Sequence, residues 1–578
     1  MGNITACPLD CYDACSIVYE NNKIKANKAG FTQGFLCPHL NHYSKHKTIT
    51  VPRYNGKEIS MEDALLKLKE IISASYASEI LHYRGNGNFS LMQEVTDHFF
   101  ASHGCVLTDG TLCDGAGEAG IIEGRGSNKN ITTQEIQKSE VIIFWGRNPH
   151  TTSSHLLPLL KNKTIIVIDP VKTKIAKSAD LHIQLKPHTD LYLAMLLTRF
   201  LHINDSCDEA YLEKYASEFE DYYELTQGIR IKATLEDIDV TLGQIGKIIE
   251  MVENKKVAIV CGVGIQKYAD GADVMRAIDA FGVALGLFGK EGCGVAYLGD
   301  SKANIISPFQ TKSKKVSKVN TPFDDFKTVF IQAANPLGQM PDSNRVRESI
   351  SRVKNIIYFG LYENETSEVA TLVLPAKDFL AKNDIRTSYA NNTFHIMNKQ
   401  HTSEYGISEY DLSNYLCSTF DIQIKSEQKY LNHFKAFSLQ QDDRTLEVKE
   451  REKIPYENGF DTDDGEFLFL EEYEKLNLND ENSFYLITSK TPTSLNSQFN
   501  RDKYVYIHSS LGYAEESTIE LSSVNGSVKL PVKHNDDLRV DSVLIYSGTK
   551  GVNKLTSSKH SFDGKSAIFQ ENKIAIGV

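Results

Sequence analysis

Three cysteines spaced by three residues, Cys7, Cys11 and Cys15, open the chain, and Cys37 follows in Gly-Phe-Leu-Cys-Pro. Three thiolates on one short loop can wrap three irons of a cubane, and a fourth on a returning loop completes the Cys₄ set of a 4Fe–4S cluster. A Cys₄ zinc site is the competing reading, but zinc knuckles pair their thiolates twice over, and a three-plus-one spacing fits that pattern less well. Disulfides are not expected. The sequence opens Met-Gly-Asn-Ile-Thr-Ala, with no basic and apolar leader, and reduced thiols in that setting more often hold metal. A second group with chemical potential is Thr111-Leu-Cys113-Asp114-Gly-Ala-Gly, where a soft thiolate and a carboxylate stand among residues small enough to let a ligand approach. Inert burial is the ordinary fate of a lone cysteine.

Elements must hold these groups in place. The runs Glu79–Tyr83, Val141–Trp145, Thr164–Ile168, Lys256–Cys261, Thr328–Ile331 and Asn355–Phe359 are short, apolar and followed by turn residues. Separated by helical stretches, they predict βαβ units and buried parallel sheets, an α/β fold. Asp273 to Phe288 places Val274, Ala277, Ile278, Phe281 and Leu285 on one face, an amphipathic helix. Small residues recur at the strand ends, as Trp145-Gly146-Arg-Asn148-Pro, Ile168-Asp169-Pro, Gly262-Val-Gly264 and Ala334-Asn335-Pro. Loops of this kind suit a long, phosphate-bearing cofactor beyond the carboxyl ends of the strands. Gly262-Val-Gly264 is half of a dinucleotide fingerprint, because Lys267 occupies the third glycine position.

From about residue 424 to 480 the chain is charged and apolar-poor, which predicts surface helices and connecting loop. Its acidic stretch Asp461–Glu466 fails the EF-hand pattern at Gly465 and reads as a solvated turn. After residue 483 alternating strands and the Asn525-Gly526 hairpin signal predict a mostly β C-terminal domain.

Composition bounds the function. At 578 residues the chain is multidomain, and a net charge of −12 argues against nucleic-acid binding through phosphate contacts. No apolar run approaches the length of a membrane span, and the expected location is cytoplasmic.

Taken in order, these motifs resemble the molybdenum/tungsten bis-pterin oxidoreductases of the dimethyl sulfoxide reductase family. The resemblance rests on Cys-Pro-x-Asp-Cys-x-Asp-x-Cys, the Cys37 return, Phe144-Trp-Gly-Arg-Asn-Pro149, Ile168-Asp-Pro170, Pro187-His-Thr-Asp190, Asn335-Pro336, Glu365-Thr366 and Leu374-Pro375, and on a tail from Leu495-Asn-Ser-Gln498 to Asn553. It implies a 4Fe–4S domain over 1–58 with part of 380–480, an α/β lobe over 59–112 and 320–380, a second α/β lobe over 113–319, and a C-terminal β-barrel over 481–578. It implies that Trp145, Gly146, Asn148, Asp169, Thr189 and Asp190 line one pterin guanine dinucleotide, with Gly262 and Gly264 at a neighbouring strand end. Asn335, Glu365 and Thr366 would contact the other, and Asn496, Gln498 and Asn553 would close from the β domain.

Cys113 aligns with the family's protein ligand to molybdenum or tungsten, and Asp114, Glu118 and Arg125 follow as candidates for moving protons or holding an anion. Many members carry a lysine between cluster and pterin; His39 stands here. Formate-oxidising members carry histidine where this chain has Asp114, which lowers that activity. The implied function is two-electron exchange between a small substrate and the cluster, then to an iron–sulfur electron-transfer subunit. The alternatives are a molybdenum-free scaffold subunit of a respiratory complex and a non-redox hydratase on the same cofactor.

Overall fold

The computed structural model describes residues 2–29, 32, 34–86, 90–440, 446–449, 451–476 and 483–577. They form two compact units, each discontinuous in sequence. One comprises Met1–Gly110, Ser301–Arg451 and Pro492–Arg501; the other comprises Thr111–Asp300, Glu452–Thr491 and Asp502–Val578.

The first unit is built on an eight-stranded sheet. Its central strands Val106–Asp109, Ile80–Arg84, Thr328–Gln332, Asn355–Gly360 and Leu372–Pro375 lie side by side in that order and are parallel. Parallel strands covered on both faces need apolar residues throughout, which is why Ile80, Leu81, Phe330, Ile357 and Phe359 are all buried. Lys315–Ser317, in a segment that the sequence reading assigns to the second lobe, pairs in parallel with Val106–Asp109 and extends this sheet. At the opposite edge Arg53–Tyr54 adds an antiparallel strand. The cysteine-rich N-terminus folds separately as a three-stranded antiparallel sheet, Asn3–Ala6, Ser16–Glu20 and Lys23–Ala26.

The second unit holds a five-stranded, wholly parallel sheet in the order Leu181–Ile183, Thr164–Ile168, Val141–Trp145, Val257–Cys261, Gly294–Ala296. The amphipathic helix forms over Gly271–Ala284, shorter at its end than the apolar periodicity suggests, and packs against Gly115–Arg125 and Asp190–Ile203. Its approach to the first of these is close: a Cβ on Gly120 would lie 2.2 Å from the Ala272 carbonyl oxygen.

The same unit carries a closed six-stranded barrel, Phe484–Ser489, Ser542–Tyr546, Val505–Ile507, Gly526–His534, Thr518–Ser523 and Lys573–Gly577. Asn525-Gly526 makes the predicted hairpin, pairing Ser523 with Gly526.

The charged segment 424–480, part of which lies outside the described residues, departs from the surface reading. Tyr430, Leu431 and Phe434 are buried on the first unit's core, and Tyr456, Phe460, Phe467, Phe469 and Leu470 on the second's. Tyr430, Leu431 and Phe434 share one face of the helix Glu427–Lys435, and Phe467–Leu470 is a run of four apolar residues, both too short to stand out among the surrounding charges, so the pattern hides a clamp. Phe460 and Tyr456 meet Phe288 edge-on at 5.3 and 5.8 Å. The acidic turn itself stays exposed, as expected, with Asp461 paired to Lys129 at 2.7 Å.

Beneath this clamp Arg125 is buried against Asp279, with Nε donating to Oδ2 at 2.7 Å and the guanidinium 4.7 Å from the Phe288 ring. Arg125 is thus a structural ion pair rather than a group able to hold a substrate anion. Breaking a buried pair strands the remaining charge. Asp279→Ala should therefore cost about 3–5 kcal/mol, read as a lower urea midpoint in equilibrium unfolding.

Candidate functional site

Within the parallel part of each of the two larger sheets the strand order reverses once, and at such a point the two flanking loops diverge and leave a crevice beyond the strand ends. In the second unit the reversal falls between Val141–Trp145 and Val257–Cys261. The next residues are Gly146 and Gly262. A Cβ on Gly262 would lie 1.8 Å from the Gly146 carbonyl oxygen, and Gly146 has φ +62°, so neither position tolerates a side chain. A Cβ on Gly264 would meet only the Gln570 side-chain amide, at 3.9 Å, an ordinary contact.

Around that crevice, Trp145 is fully buried and donates from Nε1 to Asp190 at 2.7 Å. Asp190 begins its helix directly after Thr189, whose hydroxyl is tied to the Lys186 carbonyl at 2.6 Å. Asn148 caps the short helix Pro149–Thr152 through the His150 amide. Asp169 accepts from the Val171 amide at 2.8 Å. Burial pushes the Asp169 carboxyl up to about 7, against the Val171 bond and reinforced by Asp190, and burial likewise lifts Asp190 to about 6.

A carboxyl raised by the fold gives stability that is complete below its unfolded value near 4 and is lost as pH rises through its folded value. Cofactor-free protein should therefore lose stability between about pH 4 and 7. Asp169→Asn should flatten that fall, and a chemical-denaturation series across pH measures it.

The first unit repeats the device. Its order reverses between Ile80–Arg84 and Thr328–Gln332. A Cβ on the following Gly85 would lie 2.5 Å from the Ala333 carbonyl oxygen, and Ala333 itself has φ +49°. A small cleft lies here, lined by Arg84, Asn86, Ser90, Gln93, Lys302 and Thr387 among others. Beside the other strand end, Asn335 donates to Glu365 at 2.8 Å and accepts from the Thr366 hydroxyl at 2.9 Å. Burial would raise the Glu365 carboxyl, but the bonds from Arg501 and Asn335 outweigh it and hold the group below its usual value. Asn496 and Gln498 sit in a small hairpin, Ser494–Leu495 with Gln498–Phe499, whose Ser497 accepts from Asn335 at 3.1 Å. That hairpin leaves the barrel after its first strand and belongs to the first unit, whereas Asn553 stays buried in the barrel's own unit.

Cys113 lies in the second unit, partly exposed, just before the helix Gly115–Arg125, whose N-cap is Asp114. Thr111 accepts from the Cys113 amide at 3.0 Å, and its hydroxyl faces Asp114 at 3.4 Å. Gln266, absent from the sequence prediction, is fully buried and clamps this loop, donating to the Cys113 carbonyl at 2.8 Å and accepting from the Gly117 amide at 2.9 Å. Lys267 donates to the Leu112 carbonyl at 3.2 Å, and burial pushes it down to about 8 against the pull of Cys113. The sequence signal for these residues is their place, five and six residues beyond the strand Val257–Cys261, where Lys267 occupies the third glycine position of the half fingerprint. Glu118 is raised first by burial and then by Asp114. Cys105 is buried in the first unit's apolar core.

Cys7, Cys11, Cys15 and Cys37 come together in the first unit close enough for each sulfur to feel others' charge. The Cys7 amide donates to the Cys15 carbonyl at 2.8 Å, and Ala14, at φ +46°, bends the loop between. Backbone amides point at the sulfurs: Leu9 to Cys7, Asp13 to Cys11, and Leu40 and His39 to Cys37. Burial pushes the Cys7 thiol up to about 12 and, with neighbouring acids, raises the other three. His39 lies two residues beyond Cys37 and its Nε2 meets the Ser494 carbonyl at 3.0 Å.

Residues 55–404 match the family model for molybdopterin oxidoreductase. The chain belongs to the molybdopterin oxidoreductase family, a family of enzymes. It is 27% identical to the probable oxidoreductase YyaE of Bacillus subtilis (strain 168), over 70% of this chain and 65% of that one. It is 23% identical to the assimilatory nitrate reductase catalytic subunit of the same organism, over 60% of this chain and 58% of the other. It thus spans just under two thirds of the length of such curated relatives. Among solved structures, acetylene hydratase from Pelobacter acetylenicus superposes with a TM-score of 0.73 over 94% of this chain and 92% of that one, at 15% identity, which is a likeness of fold. The family brings a molybdenum or tungsten pterin cofactor, and the glycine-lined strand ends at both reversal points fit such a group. No helix among the described residues is long and apolar enough to cross a membrane.

Proposed function

We propose that this protein is a molybdenum- or tungsten-dependent bis-pterin oxidoreductase that exchanges two electrons with a small substrate and passes them through a 4Fe–4S cluster to an iron–sulfur partner. The observation that carries the reading is the repeated device: two parallel sheets, each with its reversal point opened by a glycine that admits no Cβ and flanked by buried polar groups.

Trp145, Gly146, Asn148, Asp169, Thr189, Asp190, Gly262 and Gly264 would hold one dinucleotide. Asn335, Glu365 and Thr366, with Asn496 and Gln498 of the hairpin, would hold the other, and Asn553 would contribute from the barrel. Ionised carboxylates such as Glu365 and Asp169 only accept hydrogen bonds, and so suit the donors of ribose hydroxyls and guanine N–H groups. Cys113 would be the protein's ligand to the metal. When bound, the metal–pterin group supplies the two-electron chemistry, and the protein supplies position and electrostatics.

The chain's own residues do the rest. Gln266 and Thr111 fix the Cys113 backbone so that the thiolate is presented from a preorganised loop. Asp114 offers a proton acceptor beside that position, oriented by Thr111. Cys7, Cys11, Cys15 and Cys37 would ligate the cluster. Amides two residues beyond Cys7, Cys11 and Cys37 already point back at those sulfurs, and hydrogen bonds of this kind stabilise a negatively charged iron–sulfur centre. His39, bonded to a carbonyl of the hairpin, stands where it could link cluster and pterin. A cytoplasmic location belongs to the same proposal.

Acid hydrolysis of the purified enzyme tests the dinucleotide part. Two GMP released per bound molybdenum or tungsten is the expected result; one GMP, or none, would remove the second dinucleotide site at Asn335.

A further inference from the structure

The loop that bears the first three cysteines is held from below by one extended segment. Arg386, in the strand Asp384–Thr387, is fully buried and donates from Nη2 to the Leu9 carbonyl at 3.0 Å and the Cys11 carbonyl at 3.2 Å. Two residues on, the Ser388 hydroxyl reaches the Tyr12 and Asp13 carbonyls, each at 3.4 Å, and two further on the Ala390 amide donates to the Tyr12 carbonyl at 3.3 Å. All these donors come from one short run of chain, the end of the strand Asp384–Thr387 and the bend that follows it. Carbonyls of residues 9, 11, 12 and 13 are thereby drawn to one side of the loop, while the Leu9 and Asp13 amides turn to the Cys7 and Cys11 sulfurs.

The guanidinium also acts as charge. It lies in the field of Cys7, Asp10, Tyr389 and Cys11. Its cross-strand neighbour is His395, which burial first and Arg386 second push down to about 4, so that imidazole stays neutral. Arginine keeps its proton throughout.

We propose that Arg386 is a positioning residue for the iron–sulfur cluster, turning the cysteine loop so that its amides face the sulfurs and setting a permanent positive charge beside Cys7 and Cys11 that favours the reduced cluster. The inference rests on the cluster reading given above. Reduction adds one electron and one negative charge to the cluster and breaks no bond, so a fixed cation nearby raises the potential at which that electron is accepted.

The test uses the full-length enzyme purified without oxygen, with a dye-mediated dithionite titration followed by electron paramagnetic resonance. Wild-type protein must first contain about four iron per chain; its absence defeats the cluster reading itself and is seen before any variant is made. Arg386→Met should shift the midpoint to lower potential and release iron to a chelator several-fold faster. Arg386→Lys keeps the charge but not the planar fork, so its midpoint should stay near wild type while iron release accelerates. A wild-type midpoint in Arg386→Met, or equal downward shifts in Met and Lys, overturns the electrostatic role. If Arg386→Met does not fold, Ser388→Ala and Arg386→Lys carry the test: unchanged iron release in both overturns the positioning role.

Discussion

Cys113→Ala should abolish substrate turnover while leaving the iron content of the purified protein unchanged. The thiol is partly exposed at the start of the helix Gly115–Arg125, and its loop is fastened by Thr111 at one end and Gln266 at the other. The backbone of this loop is held by Thr111 and Gln266, so the fold should survive removal of the sulfur. Changes to groups behind a metal ligand typically cost 10–100-fold; loss of the ligand itself should exceed that. Dye-linked turnover and metal content on the same preparation check it. A variant with wild-type turnover would remove Cys113 from the mechanism. A variant that also loses its iron would mean that the second unit's loop and the cysteine-rich region are not independent in folding.

Cys15→Ala should have the opposite signature. It removes one of four thiols that burial and mutual repulsion hold protonated in the absence of metal, and that only a cationic centre would make favourable as thiolates. The expected result is loss of the broad visible absorbance of an iron–sulfur centre and loss of electron delivery to any external acceptor, with molybdenum or tungsten retained. Because metal binding free energy is shared with folding of the site, limited proteolysis should cut within the first 58 residues of the variant and spare them in wild type. An intact iron complement in Cys15→Ala would show that the cluster uses other ligands.

Much of this was readable from the chain because buried parallel strands must be apolar on both faces. Val141–Trp145, Thr164–Ile168 and Val257–Cys261 leave few alternatives to a covered sheet, and each forms as expected. The Asn525-Gly526 signal marks the hairpin, although the turn itself is Val524-Asn525 and of the two signal residues only Gly526 has positive φ. The gathering of Cys7, Cys11, Cys15 and Cys37 is legible because their spacing brings them onto one loop and its return.

What stayed hidden depends on contacts distant in sequence. Gln266 looks like any polar residue after a strand until its amide is seen joining Cys113 to Gly117. Asn496 and Gln498 follow the barrel's first strand, yet their hairpin meets Asn335 rather than remaining with the barrel. Phe460, Phe467 and Phe469 stand in short apolar stretches among charges, and only the packed structure reveals them as a clamp over Arg125 and Phe288. Arg125 shows the reverse error: its closeness in sequence to Cys113 suggested chemistry, and its partner Asp279 shows support.

The most direct measurement is quantitative metal analysis of the enzyme purified without oxygen. About four iron with one molybdenum or tungsten per chain is what the account predicts. Iron without either heavy metal would make the protein an electron-transfer scaffold, and zinc in place of iron would contradict the account at its foundation.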